Sequence, residues 1–135
     1  MSAVRVLMID DSEDDAELFT IVFSQANAGF ELSYVLDPNQ GLARLKREGH
    51  GFRLVLLDLN MPERDGKDVL AELRRTPGLQ HLPVIVFSSS DSPSDVRESY
   101  RLGANACVRK PPDLDSCREF VKRLGEFWLD TASLP

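Results

Sequence analysis

Leu54-Val55-Leu56-Leu57-Asp58 reads as a strand that ends on a carboxylate. Four successive apolar residues leave no polar face, so this strand is expected to be covered on both sides of a sheet. Two other runs have the same form. Val6-Leu7-Met8-Ile9 leads into Asp10-Asp11, and Ala106-Cys107-Val108 leads into Arg109-Lys110. If all three are parallel strands, their carboxyl ends gather at one sheet edge, where open α/β sheets bind ligands. Three carboxylates and one ammonium then share a small pocket. Such a pocket suits a hard dication and can offer one carboxylate to a phosphoryl group.

Outward from these runs, the chain alternates strand-like and helical patterns five times. Strands are expected over about residues 5–9, 31–35, 54–57, 83–87 and 106–109. The first helix opens at Ser12 with Asp14 and Asp15 in its first turn, where a cap and acids suit the helix dipole. Its stripe of Ala16, Phe19, Phe23 and Ala26 has helical spacing, and residues 27–29 end it. The second helix opens at Asp37-Pro38, buries Leu42 and Leu45, and stops at residues 49–51. The third begins near Asp65-Gly66, carries Val69, Leu70 and Leu73, and breaks at Thr76-Pro77-Gly78. The fourth, about 94–102, has only Val96, Tyr100 and Leu102 to anchor it. The fifth starts near Asp113 and carries apolar residues from Leu114 through Phe127 and Trp128. Five such units imply a parallel sheet with right-handed crossovers and helices on both faces.

The 135 residues fit one domain, with 127–135 as a C-terminal arm. With 42% hydrophobic and 28% charged residues, the chain is ordinarily globular. A net charge of -6 disfavours nucleic acid and anionic membranes as partners. No run reaches the length of a membrane span, and Met1-Ser2-Ala3-Val4-Arg5 leads straight into a strand with no signal peptide. Cys107 and Cys117 are too few for a disulfide framework, so a reducing cytoplasm is the expected setting.

The chain resembles the receiver domain of two-component response regulators, of the CheY-like type. The matching pieces are Ile9-Asp10-Asp11-Ser12, Leu57-Asp58-Leu59-Asn60-Met61-Pro62, Asp65-Gly66, Ser88-Ser89, and Gly103-Ala104-Asn105 leading to Lys110-Pro111. They span about residues 4–126. Each piece is weak alone; their joint order and the spacing of 22 between Ser88 and Lys110 make the match specific. The resemblance implies a flavodoxin-like (βα)5 doubly wound five-stranded sheet of order 2-1-3-4-5. It implies phosphorylation of Asp58 by a sensor histidine kinase, with Mg2+ held by Asp10, Asp11, Asp58 and the backbone carbonyl of Asn60. Lys110 would pair with Asp58 before transfer and with the phosphoryl oxygens after it. Ser88 would hydrogen-bond the phosphoryl group, Ser89 would keep the neighbouring backbone uncrowded, and a cis Lys110-Pro111 bond would aim the lysine. The chemistry agrees: magnesium takes about six oxygens and keeps some as water, so two or three carboxylates suffice. Clustered carboxylates raise one another's proton affinity, and a cation with Lys110 offsets that repulsion. Such a protein is no enzyme toward external substrates; it catalyses only its own phosphorylation and dephosphorylation.

Blander readings apply to single residues. Asp10 or Asp11 alone reads equally well as a helix cap, and Asp58 alone as a strand-end turn residue. Asp14 and Asp15 are read as first-turn dipole charges, Asp65 as the cap of the third helix, and His50 and His81 as surface histidines in loops. Asn60 and Ser90 are expected to tune the lifetime of the phosphoryl group. One departure stands out. Receivers place Tyr or Phe three residues before the lysine as a rotating switch, and here that position is Cys107. Cys107 is read as a small reduced strand residue, and Tyr100 as no substitute for the aromatic.

Three other functions fit the sequence less well. An aspartate-dependent phosphohydrolase places a second Asp two residues past its nucleophile, and Ser12 stands there after Asp10. A nucleotide-binding module needs a Gly-rich loop after its first strand, where Asp-Asp-Ser-Glu stands. A non-phosphorylated scaffold of the same fold would not need the complete acidic set and Lys110.

The apolar end, with Phe127, Trp128 and Leu129, together with Leu57-Asp-Leu-Asn60 and Ser88-Ser-Ser-Asp91, resembles the stand-alone regulators paired with phytochromes. That resemblance implies a bacteriophytochrome-type kinase as partner and a homodimer through the last helix and its arm. Output would be protein contact, dimerisation or onward transfer to a histidine phosphotransfer protein. Whether the arm folds on its own sheet or reaches a second subunit is open from sequence.

Overall fold

The structure, a computed structural model, describes residues 3–26, 29–48, 51–89 and 92–135. Its elements follow the expected alternation: β1 (Val4–Ile9), α1 (Glu13–Ala26), β2 (Phe30–Val35), α2 (Pro38–Glu48), β3 (Leu54–Leu57), α3 (Gly66–Arg75), β4 (Val84–Ser88), α4 (Pro93–Arg101), β5 (Ala106–Arg109) and α5 (Leu114–Gly125). The five strands form one parallel sheet in the order β2-β1-β3-β4-β5. This is the flavodoxin-like order, with β3 at its centre.

The continuous apolar runs are explained by two cores. Alternate residues of β1, β3 and β4 point to opposite faces. Leu7, Ile9, Val55, Leu57, Val84 and Val86 join Leu45 of α2 and Val69, Leu70 and Leu73 of α3. Val6, Met8, Leu54, Leu56, Ile85 and Phe87 join Phe19 and Phe23 of α1 and Val121 of α5. Phe87 lies edge-on to Phe19, with ring centroids 4.8 Å apart, and stacks on Phe120 at 5.2 Å. Buried aromatic pairs of this kind contribute beyond their area, so α1 and α5 are held firmly against the strands that carry the site.

The helix starts follow the capping chemistry. The Asp15 amide donates to Ser12 Oγ at 3.2 Å, and the acids Glu13, Asp14 and Asp15 fill the first turn of α1. Asp65 caps α3 as expected, accepting from the Lys67 amide at 2.9 Å. Asp113 caps α5 in the same way through the Ser116 amide.

Three expectations need correction. The fourth strand runs one residue further than 83–87, because Ser88 still pairs with Arg109 of β5. The fourth helix starts one residue early, at Pro93, since proline is tolerated at the first helical position. Its apolar anchoring is thin, as expected: Leu102 packs on the core at the helix end, while its fully buried residue is the polar Ser99 and Tyr100 is half exposed. The last helix does not continue unchanged through Trp128. It ends at Gly125 and widens into a π-helical segment, Glu126–Thr131, with the Ala132 amide donating to the Phe127 carbonyl. The helix stops assigned to residues 27–28 and 49–50, His50, and the lifetime residue Ser90 lie outside the described residues.

The arm folds on its own chain. Trp128 and Leu129 pack against the α1–α5 core, while Phe127 stays exposed with its ring edge-on to Trp128. Beyond them the chain returns to the sheet, where Arg53 donates to the Leu134 carbonyl at 3.1 Å. No helix among the described residues is long and apolar enough to cross a membrane.

Candidate phosphoryl and metal site

The carboxyl ends of β1, β3, β4 and β5 meet at one edge, and each delivers one part of the site. Asp10 follows β1, and its amide donates to the Val35 carbonyl at the end of β2. Its Oδ1 accepts from the Ser12 amide at 2.9 Å, which fixes the carboxylate and turns the chain into α1. Asp58 follows β3, and its amide donates to the Ile9 carbonyl at 2.9 Å. Its Oδ1 accepts from the Asn60 amide at 3.4 Å. Asp10 and Asp58 are buried, whereas Asp11 is exposed at the mouth. Oxygens of Asp10, Asp11 and Asp58 all lie within 4.8 Å of one another. Three hard oxygen donors so placed fit a magnesium-sized dication, with positions left for water.

Lys110 closes the pocket. Its amide donates to the Ser88 carbonyl, extending the β4–β5 ladder by one step, and its side chain is largely buried. The Nζ atom lies 2.6 Å from Asp10 Oδ2, 2.9 Å from Asp15 Oδ2 and 4.0 Å from Asp58 Oδ2. The lysine is thus not chiefly paired with Asp58, as expected, but with Asp10 and Asp15. The Lys110-Pro111 peptide bond is trans, not cis, so the lysine is aimed by its strand register and its two close carboxylates.

Asp15 is the residue that sequence reasoning missed. Its place in the first turn groups it with Asp14 as a dipole charge, yet it reaches the lysine. A signal existed: Asp15 precedes the buried Phe19 and Val22 by four and seven residues, so it lies on the inner face of α1. Asp14 precedes the exposed Ile21 by seven.

Electrostatics follow from burial and neighbours. Burial pushes the Asp58 carboxyl up from 3.8 to about 6, Lys110 pulls it back, and the Asp10 charge adds to the rise. Burial likewise raises the Asp10 carboxyl, against the pull of Lys110. Burial works against the Lys110 ammonium, but Asp10 and Asp15 outweigh it and hold its pKa above the usual value. A buried carboxylate held close to neutral titration, beside an ammonium, is typical of a reacting group.

The loops around the pocket are tightly built. Asn60 Nδ2 donates to Ser88 Oγ at 3.2 Å, linking the β3 and β4 loops across the mouth. Ser88 is buried at the end of β4 and Ser89 is exposed beside it. Gly66 packs so closely that a Cβ atom would stand 2.1 Å from the Asp58 carbonyl oxygen. Only glycine fits there, and the approach positions the loop that carries Asp58 and Asn60.

Behind Ser88, a cavity of about 200 Å³ separates α4 from β4 and β5, lined in part by Val96, Ser99 and Cys107. Cys107 is half-buried there, and burial raises its thiol above the ordinary value, which keeps it protonated. The Tyr100 hydroxyl accepts from the Cys107 amide at 3.2 Å. His81 is exposed, as expected.

Residues 6–122 match the family described as the response regulator receiver domain. The chain belongs to that family. Response regulator Rcp1 of Synechocystis sp. is 34% identical over 135 residues, covering 96% of this chain and 92% of its own length. The Mn2+-bound form of Rcp1 superposes with a TM-score of 0.85, over 98% of this chain and 99% of that one. The phosphorylated cyanobacterial phytochrome response regulator RcpA gives a TM-score of 0.89 at 34% identity, covering 99% of both chains. A response regulator in red light signalling of R. palustris gives 0.88 at 35% identity, covering 98% of both. The receiver therefore resembles regulators linked to phytochromes along almost its whole length, including the C-terminal arm.

Proposed function

We propose that this receiver accepts a phosphoryl group on Asp58 from a sensor histidine kinase and signals through protein contact. The observation that carries this is the buried Asp58, with Asp10 and Asp11 oxygens within 4.8 Å and Lys110 beside it. In the transfer, the P–N bond of a phosphohistidine breaks as an O–P bond forms to Asp58, and the imidazole leaves. Asp10, Asp11, Asp58 and the Asn60 carbonyl would hold Mg2+. When bound, the cation supplies positive charge against the phosphoryl oxygens. Lys110 supplies the second positive charge, Ser88 a hydroxyl toward the phosphoryl oxygens, and Ser89 an uncrowded loop beside them. Hydrolysis of the acyl phosphate by water returns Asp58.

The kinase is proposed to be a phytochrome-type light sensor, a reading supported by the likeness to RcpA, Rcp1 and the R. palustris red-light regulator. The setting is then cytoplasmic. A homodimer through α5 and the arm is proposed for the active assembly, with the exposed Phe127 beside Trp128 and Leu129 as its contact. A histidine phosphotransfer protein is the proposed acceptor if the phosphoryl group moves onward. The whole chain, with 127–135 as the arm, acts as one receiver unit.

Transfer from a radiolabelled autophosphorylated phytochrome kinase tests this reading. Label is expected to move to the wild type within minutes and not to Asp58→Asn. Label retained on the kinase, or moved equally to the variant, would contradict it.

A further inference from the structure

Lys110 Nζ donates to Asp15 Oδ2 at 2.9 Å and stands 2.6 Å from Asp10 Oδ2 as an ion pair. Asp10 is fully buried and fixed by the Ser12 amide, so it cannot follow the lysine. Asp15 stands at the mouth, its side chain 39% exposed, on the wall of an open groove with Ser89, Lys110 and Pro111. Lys110 Nζ is 4.0 Å from Asp58 Oδ2, so a phosphoryl group on Asp58 would come within its reach and compete for its donors. The contact that yields is the one facing solvent.

We infer that Asp15 is a positioning residue for the phosphoryl reaction: it competes with the phosphoryl group for Lys110 and restrains formation of the phosphorylated state. The inference rests on the receiver reading above. Asp15 is not one of the three carboxylates whose oxygens meet at the cation site, and it acts through the lysine. The family motifs give it no part; its role here comes from its distance to Lys110.

The test is calorimetric titration with beryllofluoride, a phosphoryl mimic, at saturating magnesium. Three variants of the full chain are compared with wild type. Asp15→Asn removes the competing carboxylate and is expected to bind the mimic roughly 2- to 5-fold more tightly, the range of a partly exposed ion pair. Asp14→Asn makes the same charge change one residue away, on a side chain that is exposed, and is expected to leave affinity near wild type. Asp15→Glu keeps the carboxylate and is expected to return toward the wild-type value. A gain in affinity is not what structural damage produces, so a merely architectural Asp15 would show a loss instead. Equal gains in Asp15→Asn and Asp14→Asn would reduce the effect to bulk charge and overturn the inference. No gain in Asp15→Asn would also overturn it. Wild type that binds no beryllofluoride would overturn the receiver reading together with the inference.

Discussion

Asp58 carries the account at the residue scale. Its carboxyl titrates near 6 in the folded chain against an ordinary 3.8. Between those values the folded chain binds more protons than the unfolded one, so this group makes stability fall as pH rises through that window. At pH 7.5, ionised Asp58 costs the cation-free protein about 2–3 kcal/mol. Magnesium needs the ionised carboxylate, so its binding releases a proton and weakens as pH falls through about 6. Thermal melts are expected to show a clear rise with magnesium at pH 7.5 and a much smaller one at pH 5. Asp58→Asn should melt higher than wild type in a chelator at pH 7.5. An equal magnesium shift at both pH values would contradict this assignment of charge. The acidic set and Lys110 were legible in the sequence because each follows an apolar strand run, and parallel strands bring such ends together. The pairing inside the set was not. Which carboxylate holds Lys110 depends on where α1 turns, and Asp15 enters only through that turn. The Tyr100 contact with Cys107 was not legible for a similar reason: it joins α4 to a sheet edge, and no strand pattern encodes it.

At the element scale, α4 is held by few groups. Its buried residue is the polar Ser99, whose hydroxyl bonds within the helix to the Asp95 carbonyl. Its ties to other elements include the Lys67–Asp95 ion pair at 2.7 Å, the Tyr100 hydroxyl on the Cys107 amide, and the Cys107 thiol near the Val96 carbonyl. A cavity of about 200 Å³ lies beneath it. Elements with little apolar burial open at low free energy, and switching segments come from that end of the range. Amide hydrogen exchange is expected to be faster in α4 than in α3, which buries Val69, Leu70 and Leu73. Tyr100→Phe removes the acceptor of the Cys107 amide and should speed exchange in α4 further, with a stability loss of about 1 kcal/mol or less. Protection of α4 equal to that of α3 would contradict this. The five strands and five helices were legible because buried parallel strands have no polar face and the helices carry apolar stripes. Boundaries slipped by a residue where pairing or a proline decided them. The π-helical widening after Gly125 was not legible, since it depends on tertiary seating of Trp128 and Leu129.

For the whole molecule, two cores clamp one sheet, and the site edge is the place where loops from four strands meet. The arm covers part of the α1–α5 side and leaves Phe127 exposed beside Trp128. Exposed aromatics of this kind mark association surfaces when they cluster. Sedimentation equilibrium is expected to find a dimer for the wild type and a monomer for Phe127→Asp; a monomeric wild type with beryllofluoride bound would remove the arm from the interface. The two cores and the site edge are proposed to serve one event, the loading of a phosphoryl group on Asp58, and intact mass after exposure to acetyl phosphate reads that event. One added phosphoryl group, dependent on magnesium, is expected in the wild type and none in Asp58→Asn. An adduct that survives in Asp58→Asn, or none in the wild type with magnesium bound, would contradict that proposal.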